Sequence, residues 1–218
     1  MLVALDVDGT LYEDGHVPPE TVAAIADAAD RGHLIVIVTG RRYDDLVRIV
    51  PAELLAPVSC CICENGGVLV ADAHSPLVLL ASPIDPALVH ALRDEGVGGL
   101  DVGFVALGAP SADLDAILRA RDAAGSDRVV VINKSSATLL PPGCDKGSGL
   151  RAAVDHLGAH GVEIMAMGDA ENDIPMFEMA TVPVGVANAD AAVRALGIPI
   201  TKAPAGLGVV EAFERWLV

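Results

Sequence analysis

The sequence predicts an α/β fold: a parallel sheet core flanked by helices and interrupted once by a small α+β insert. Three observations carry this. Apolar runs at 2–7 and 34–39 end at polar residues without alternating, as strands buried on both faces do. Helical stretches separate such runs at both ends of the chain. Between them, short strand-like runs with turn signals replace that rhythm.

Taken in order, 2–7 is a strand that ends at a carboxylate. Residues 19–30 are Ala-rich, with Val22, Ile25, Ala26 and Ala29 on one helical face and Gly32 as the stop. A strand at 34–39, a short helix at 43–50 halted by Pro51, and a strand at 59–63 follow. The texture then changes. Residues 68–70 and 77–80 read as a hairpin around a polar turn at 71–76, 86–95 and 112–124 as helices, and 102–107, 128–132 and 138–140 as strands. Pro141-Pro142-Gly143 closes the insert. Alternation resumes with a helix at 147–157, a strand at 163–167, a helix at 174–179, a strand at 182–186 and a helix at 191–196. A short strand at 200–201 and a helix at 207–217 end the chain. The expected division is 1–65 and 143–218 for the core and 66–142 for the insert.

Bulk properties remove several classes of function. The chain has 218 residues with 52% hydrophobic residues, enough for a sizeable core. Asp, Arg, Glu or His interrupts every apolar run before it reaches the length of a membrane span. The start, Met1-Leu2-Val3-Ala4-Leu5-Asp6, lacks the features of a signal peptide, so a cytoplasmic protein is expected. Net charge is -16 and aromatics are only 3%, so there is neither a basic footprint nor a stacking platform for nucleic acid. An anionic substrate would therefore need local positive charge. Cys60, Cys61, Cys63 and Cys144 lack zinc-knuckle spacing and read as small buried side chains. The histidines have no ligand spacing, and the glycine motifs of dinucleotide and P-loop binding are missing. Oligomeric state is not legible; a homodimer stays open.

In such sheets ligands sit beyond the carboxyl ends of the strands, at a topological switch point. The strand ends read Asp6-Val7-Asp8-Gly9-Thr10, Thr39-Gly40-Arg41, Glu64-Asn65-Gly66-Gly67 and Gly168-Asp169-Ala170-Glu171-Asn172-Asp173. Asp6 and Asp8, two apart on an extended stretch, point to one side. Such a pair needs a cation between its members or a proton on one of them, so one carboxylate is able to attack while the other shuttles a proton. A capped turn is the competing reading. Asp169 and Asp173 supply more oxygen ligands, with Asp173 also suited to capping the helix at 174. Thr39 and the amides of Gly40 and Arg41 suit a phosphate oxygen, or the hydroxyl bonds its own turn. Lys146 opposes the dipole at the start of its helix, a conflict that a bound phosphate or an outward, solvated ammonium would remove.

Asp6-x-Asp8-Gly9-Thr10-Leu11, Thr39-Gly40-Arg41, Lys146 and Gly168-Asp169-x-x-Asn172-Asp173 together resemble, in order and spacing, the four motifs of the haloacid dehalogenase-like superfamily. The insert between the second and third motifs resembles the type II (C2) cap of the Cof-like, type IIB branch. Glu64-Asn65-Gly66-Gly67 is similar to archaeal-type phosphoglycolate phosphatases and mannosyl-3-phosphoglycerate phosphatases, and sucrose-phosphate phosphatases share the layout.

The resemblance implies a Rossmann-like core and an Mg²⁺-dependent phosphomonoester hydrolase acting on a small phosphorylated metabolite: phosphoglycolate, or a sugar or sugar-acid phosphate. It implies Asp6 as the nucleophile that becomes an aspartyl-phosphate, and Asp8 as acid and then base. Mg²⁺ is held by Asp6, the Asp8 carbonyl and Asp169, with Asp173 nearby or through water. Thr39, Gly40 and Lys146 hold the phosphoryl group and Asn172 helps position it. Arg41 and Arg42 either reach substrate or face solvent, and the insert run Asn133-Lys134-Ser135-Ser136 either reads the leaving group or is an ordinary turn. A phosphotransferase or mutase on the same site is the alternative, with a non-catalytic phosphometabolite-binding module third. A binder has no need of the second strand-end carboxylate.

Overall fold

The protein is described by a computed structural model covering residues 1–72, 74–133 and 135–217. Ala73, in the expected turn at 71–76, and Lys134, in the insert run, lie outside the described residues.

Strand β1 (Leu2–Leu5) is wholly buried. Its side chains alternate between the two faces of the sheet: Val3 and Leu5 join one apolar cluster, Leu2 and Ala4 another. Helix α1 (Pro19–Asp30) carries proline in its first turn, where no backbone donor is needed, and buries Ile25 and Ala28 on the first face. Parallel strands β2 (Leu34–Val38) and β3 (Cys60–Cys63) follow, separated by helix α2 (Tyr43–Ile49) and a short helix α3 (Ala52–Leu55). Helix α3 escapes the sequence pattern because one turn shows no periodicity.

Strands β4 (Val68–Val70) and β5 (Val78–Leu79) form the expected hairpin but belong to another sheet. Strand β4 continues the core sheet antiparallel to β3 and β5 follows antiparallel to β4, whereas the division at residue 66 put both in the insert. Their register, Cys63↔Val68, keeps them next to β3 because only a tight 3-10 turn at Glu64–Gly66 intervenes.

Helix α4 (Pro86–Asp94) is capped by Asp85, whose carboxylate accepts from the Ala87 amide. Then come β6 (Asp101–Val102), β7 (Leu107–Pro110), α5 (Leu114–Ala123), β8 (Val129–Asn133) and β9 (Ser136–Leu140). The four strands form a separate antiparallel sheet in the order β6-β7-β9-β8, with Leu88 and Leu92 of α4 and Ile117 of α5 packed on Leu107 and Leu139. The single strand expected at 102–107 is instead a hairpin, its turn at 103–106. The Glu64 carboxylate causes this: it accepts from the amides of Phe104 (3.1 Å), Val105 (2.7 Å) and Ala106 (2.9 Å), gathering three donors no single strand could aim at one point.

The core resumes with α6 (Lys146–His156), β10 (Ile164–Gly168), α7 (Ile174–Phe177), β11 (Val182–Gly185), α8 (Ala191–Ala195) and α9 (Ala205–Trp216). The strand expected at 200–201 is a single bridge between Gly185 and Ile200. The core sheet runs β11-β10-β1-β2-β3-β4-β5, with α1 against α9 on one face and α6 with α7 on the other. The order reverses at β1, between β2 and β10, so the switch point lies at the end that carries Asp6. Each fully buried Leu, Ile or Val contributes about 1.5–3 kcal/mol, and β1 and β2 at the centre of the sheet supply Leu2, Val3, Leu5, Ile35, Val36, Ile37 and Val38.

Candidate active site

Register brings the polar strand ends to one level. Leu5 pairs with Met167 on one side and Ile37 on the other, so the residues after β1, β2 and β10 emerge side by side. Strand β1 stops at Leu5, short of the expected Val7, because the Val7 carbonyl collects the amides of Thr10, Leu11 and Tyr12 in a tight loop. Gly9, at φ 85°, makes the turn, and a Cβ there would lie 2.4 Å from an Asp169 oxygen. Asn188 pins this loop, its amide donating to the Gly9 carbonyl at 2.7 Å. Asp6 therefore ends up buried, at 4% exposure, while Asp8 stands half-exposed on the rim.

Lys146 opens α6. Asp145 caps that helix in a reciprocal box with Ser148. Gly66, at φ 99°, lets α6 press on the end of β3; a Cβ there would meet the Asp145 carbonyl at 1.9 Å. So aimed, Lys146 is 2% exposed, which removes the reading of a solvated surface lysine. Its ammonium donates to Asp6 Oδ1 at 2.5 Å and to Asp173 Oδ1. These carboxylates resolve its conflict with the helix dipole, with no phosphate required. Burial works against the ammonium, but Asp173 and Asp6 outweigh it and hold its pKa above the ordinary lysine value.

Asp173 does not cap α7. Its other oxygen turns back to accept from the Asp169 and Ala170 amides, both at 2.9 Å, because those donors lie within its reach and Lys146 draws the side chain inward. Asp6, Asp169 and Asp173 place one oxygen each within 4.8 Å of one another. Burial, then the negative charge of Asp173, push the Asp6 carboxyl up to about 8 against the pull of Lys146. Several buried carboxylates sharing one ammonium fit a hard, oxygen-binding cation such as Mg²⁺.

Thr39 is buried beneath the site, and its hydroxyl accepts from the Arg41 amide at 3.1 Å, the bond within its own turn. Gly40 lines the cavity. Neither arginine that follows points freely into water. Arg41 grips Asp8 through two donors on one edge of its guanidinium, at 2.7 and 2.6 Å, and Arg42 pairs with Asp45 and with Asp101 of the insert. Asn172 donates to Asn65 at 3.1 Å and accepts from Asn133 of the insert at 3.3 Å. A cavity of about 880 Å³ opens above these groups, walled by Asp6, Asp8 and Lys146 below and by Asn133, Ser136 and Thr138 above.

Glu64, Asn65, Asn188 and Arg128 were not readable as contributors, since each acts on backbone groups or amides distant in sequence. Buried Arg128 donates to carbonyls of Ser82, Pro83, Val105 and Leu139, tying the root of the insert together. The one available signal was the polar run Glu64-Asn65 at a strand end. The cysteines are buried free thiols, with Cys60 and Cys61 pushed up to about 12 by burial.

A doubly wound core with an inserted sheet, and buried carboxylates around a lysine at the switch point, define a class that comparison with known proteins makes specific. The family model for haloacid dehalogenase-like hydrolases matches residues 3–96 and 105–213. The chain belongs to that family and is a phosphatase of it. It is 39% identical over 223 residues to phosphoglycolate phosphatase 2 of Saccharolobus solfataricus, covering 100% of this chain and 92% of the relative. It is 29% identical to the phosphoglycolate phosphatase of Methanothermobacter thermautotrophicus, covering 99% and 98%. A haloacid dehalogenase-like hydrolase from Bacteroides thetaiotaomicron shares the fold at TM-score 0.83 with 19% identity, over 98% of both chains. A solved subclass IIB sugar phosphatase does so at TM-score 0.79 with 19% identity, over 99% and 98%.

Proposed function

We propose that this chain is an Mg²⁺-dependent phosphomonoester hydrolase acting on a small phosphorylated metabolite, phosphoglycolate foremost, with a sugar or sugar-acid phosphate as the alternative. The observation that carries this reading is the buried Lys146 ammonium touching Asp6 and Asp173 at the end of the switch-point strand. A structural ion pair needs one carboxylate; the surplus of Asp169 and Asp173 around Asp6 suits a site built to neutralise an incoming phosphoryl group. The names of the relatives favour phosphoglycolate.

Asp6 attacks phosphorus, an Asp6 oxygen–phosphorus bond forms, and the bond to the leaving oxygen breaks. Protonated Asp8 gives its proton to that oxygen. Water then attacks the phosphorus of the aspartyl-phosphate while Asp8, now a carboxylate, takes the water proton; phosphate leaves and Asp6 is restored. Lys146, with Gly40 and Thr39 at the neighbouring strand end, holds the phosphoryl oxygens, and Asn172 orients them. Asp6, the Asp8 carbonyl and Asp169 would hold Mg²⁺, Asp173 directly or through water. The ion would offset phosphoryl charge and hold the group in line. Among the described residues no helix is long and apolar enough to cross a membrane, and the thiols are unpaired, which suits a cytoplasmic setting.

Phosphate release from phosphoglycolate and from p-nitrophenyl phosphate tests this reading. Activity should need Mg²⁺, vanish in excess chelator and fall to background in Asp6→Asn. Asp8→Asn should cost roughly 10²–10⁴-fold in kcat. An Asp6→Asn protein at the native rate would sink the proposal. Phosphate appearing on an added acceptor instead of in solution would favour the phosphotransferase reading.

A further inference from the structure

We propose that Arg41 selects substrates whose leaving group carries a carboxylate, by passing its two hydrogen bonds from Asp8 to that carboxylate. This rests on the phosphatase reading and names the group that reads the leaving side.

Arg41 meets Asp8 side-on, Nε to Oδ2 at 2.7 Å and Nη2 to Oδ1 at 2.6 Å, with the Tyr12 ring centroid 5.9 Å from the guanidinium carbon. That fork matches any carboxylate, so exchanging one for another keeps both charge-assisted bonds. The competing cations are more heavily committed. Among the described residues, those lining the cavity are Arg41, Arg42 and Lys146. Lys146 sits between Asp6 and Asp173, and Arg42 between Asp45 and Asp101. Arg41 alone of the three has one carboxylate partner in an ion pair, and that partner is half-exposed.

Position argues the same way. Asp8 addresses the leaving oxygen. In a phosphorylated 2-hydroxy acid the carboxylate lies two bonds beyond that oxygen, so the guanidinium that grips Asp8 already stands beside it. The surrounding wall contributes Asp45, Glu64 and Asp101, which would repel such a substrate unless a cation received it.

The test compares phosphoglycolate with ethyl phosphate, its counterpart without the carboxylate, in the full-length protein with Mg²⁺. The ratio of the two kcat/KM values within one preparation is independent of how much of a variant is folded. Arg41→Gln should lower kcat/KM about 10- to 100-fold more for phosphoglycolate than for ethyl phosphate, chiefly through KM. Arg41→Lys should recover part of that loss. Equal losses on both compounds would overturn the inference and confine Arg41 to holding Asp8. So would wild-type protein with no preference for phosphoglycolate, or a preference lost in Lys134→Ala but kept in Arg41→Gln. Wild-type protein inert toward ethyl, p-nitrophenyl and glycolate phosphates alike would instead bring down the phosphatase reading, and this inference with it.

Discussion

Asp6 carries a cost that the rest of the site must offset. Folding takes its carboxyl from an ordinary value of 3.8 up to about 8, first through burial and then through Asp173. The folded state therefore holds a proton there that the unfolded chain has released. Between those values stability falls as pH rises: the contribution is complete below 3.8 and gone once pH passes about 8. In chelator, the melting temperature should drop by several degrees between pH 5 and pH 9, and Asp6→Asn should flatten that slope. Added Mg²⁺ should restore wild-type stability at pH 9 and do little for Asp6→Asn. A chelator-treated wild type with the same pH slope as Asp6→Asn would contradict this account. The neighbouring residues show what sequence discloses at this scale. Asp6 and Asp169 stood out as charges at strand ends, and Lys146 as a charge at a helix start. The partners of Asp173 did not, because its position before Ile174-Pro175 fits a helix cap equally well and only the tertiary approach of Lys146 decides between the roles.

At the scale of elements, the hairpin β6–β7 depends on one core carboxylate. Glu64 holds three of its amides, and Arg128 donates to the carbonyl of the same Val105 peptide. Glu64→Ala would leave buried donors without acceptors, at about 1–3 kcal/mol apiece. It should lower stability measurably by urea unfolding and open the chain around 103–106 to limited proteolysis before the core is cut. Uniform resistance at that turn would argue against the carboxylate's role. The joint between β3 and α6 is equally specific. Gly66→Ala puts a side chain into the Asp145 carbonyl at a positive φ, so it should displace α6 and with it Lys146. Loss of activity in a folded protein, judged by unchanged far-ultraviolet circular dichroism, is the expected result. Most elements were legible to within a residue or two, α1 entirely so, because apolar periodicity and proline or glycine stops are local signals. The 102–107 segment was not, because its conformation is set by a side chain some forty residues away.

At the scale of the molecule, the inserted sheet closes over the core site through a few polar ties. Arg42 reaches Asp101 at 3.1 Å, and Asn133 reaches Asn172, which itself holds Asn65. Each tie is partly exposed and worth at most about 1 kcal/mol, which suits a lid that must reopen for product. Asp101→Ala combined with Asn133→Ala should raise KM for the physiological substrate while leaving Asp6, Lys146 and Asp169 in place; stopped-flow burst kinetics would separate that effect from slowed chemistry. By itself, the sequence determined the alternation of strands and helices, the presence of one insert, and the residues at the strand ends from which a family resemblance could be drawn. Those depend on local periodicity and on residue type, which are written along the chain. Only the tertiary structure decided that β4 and β5 extend the core sheet, that Arg41 grips Asp8, that Asp173 serves Lys146 instead of a helix, and that Glu64 shapes the insert. The last three are pairings between groups far apart in sequence, and their choice rests on which charge or donor lies within reach once the sheet has formed; the first rests on a tight turn that periodicity does not disclose.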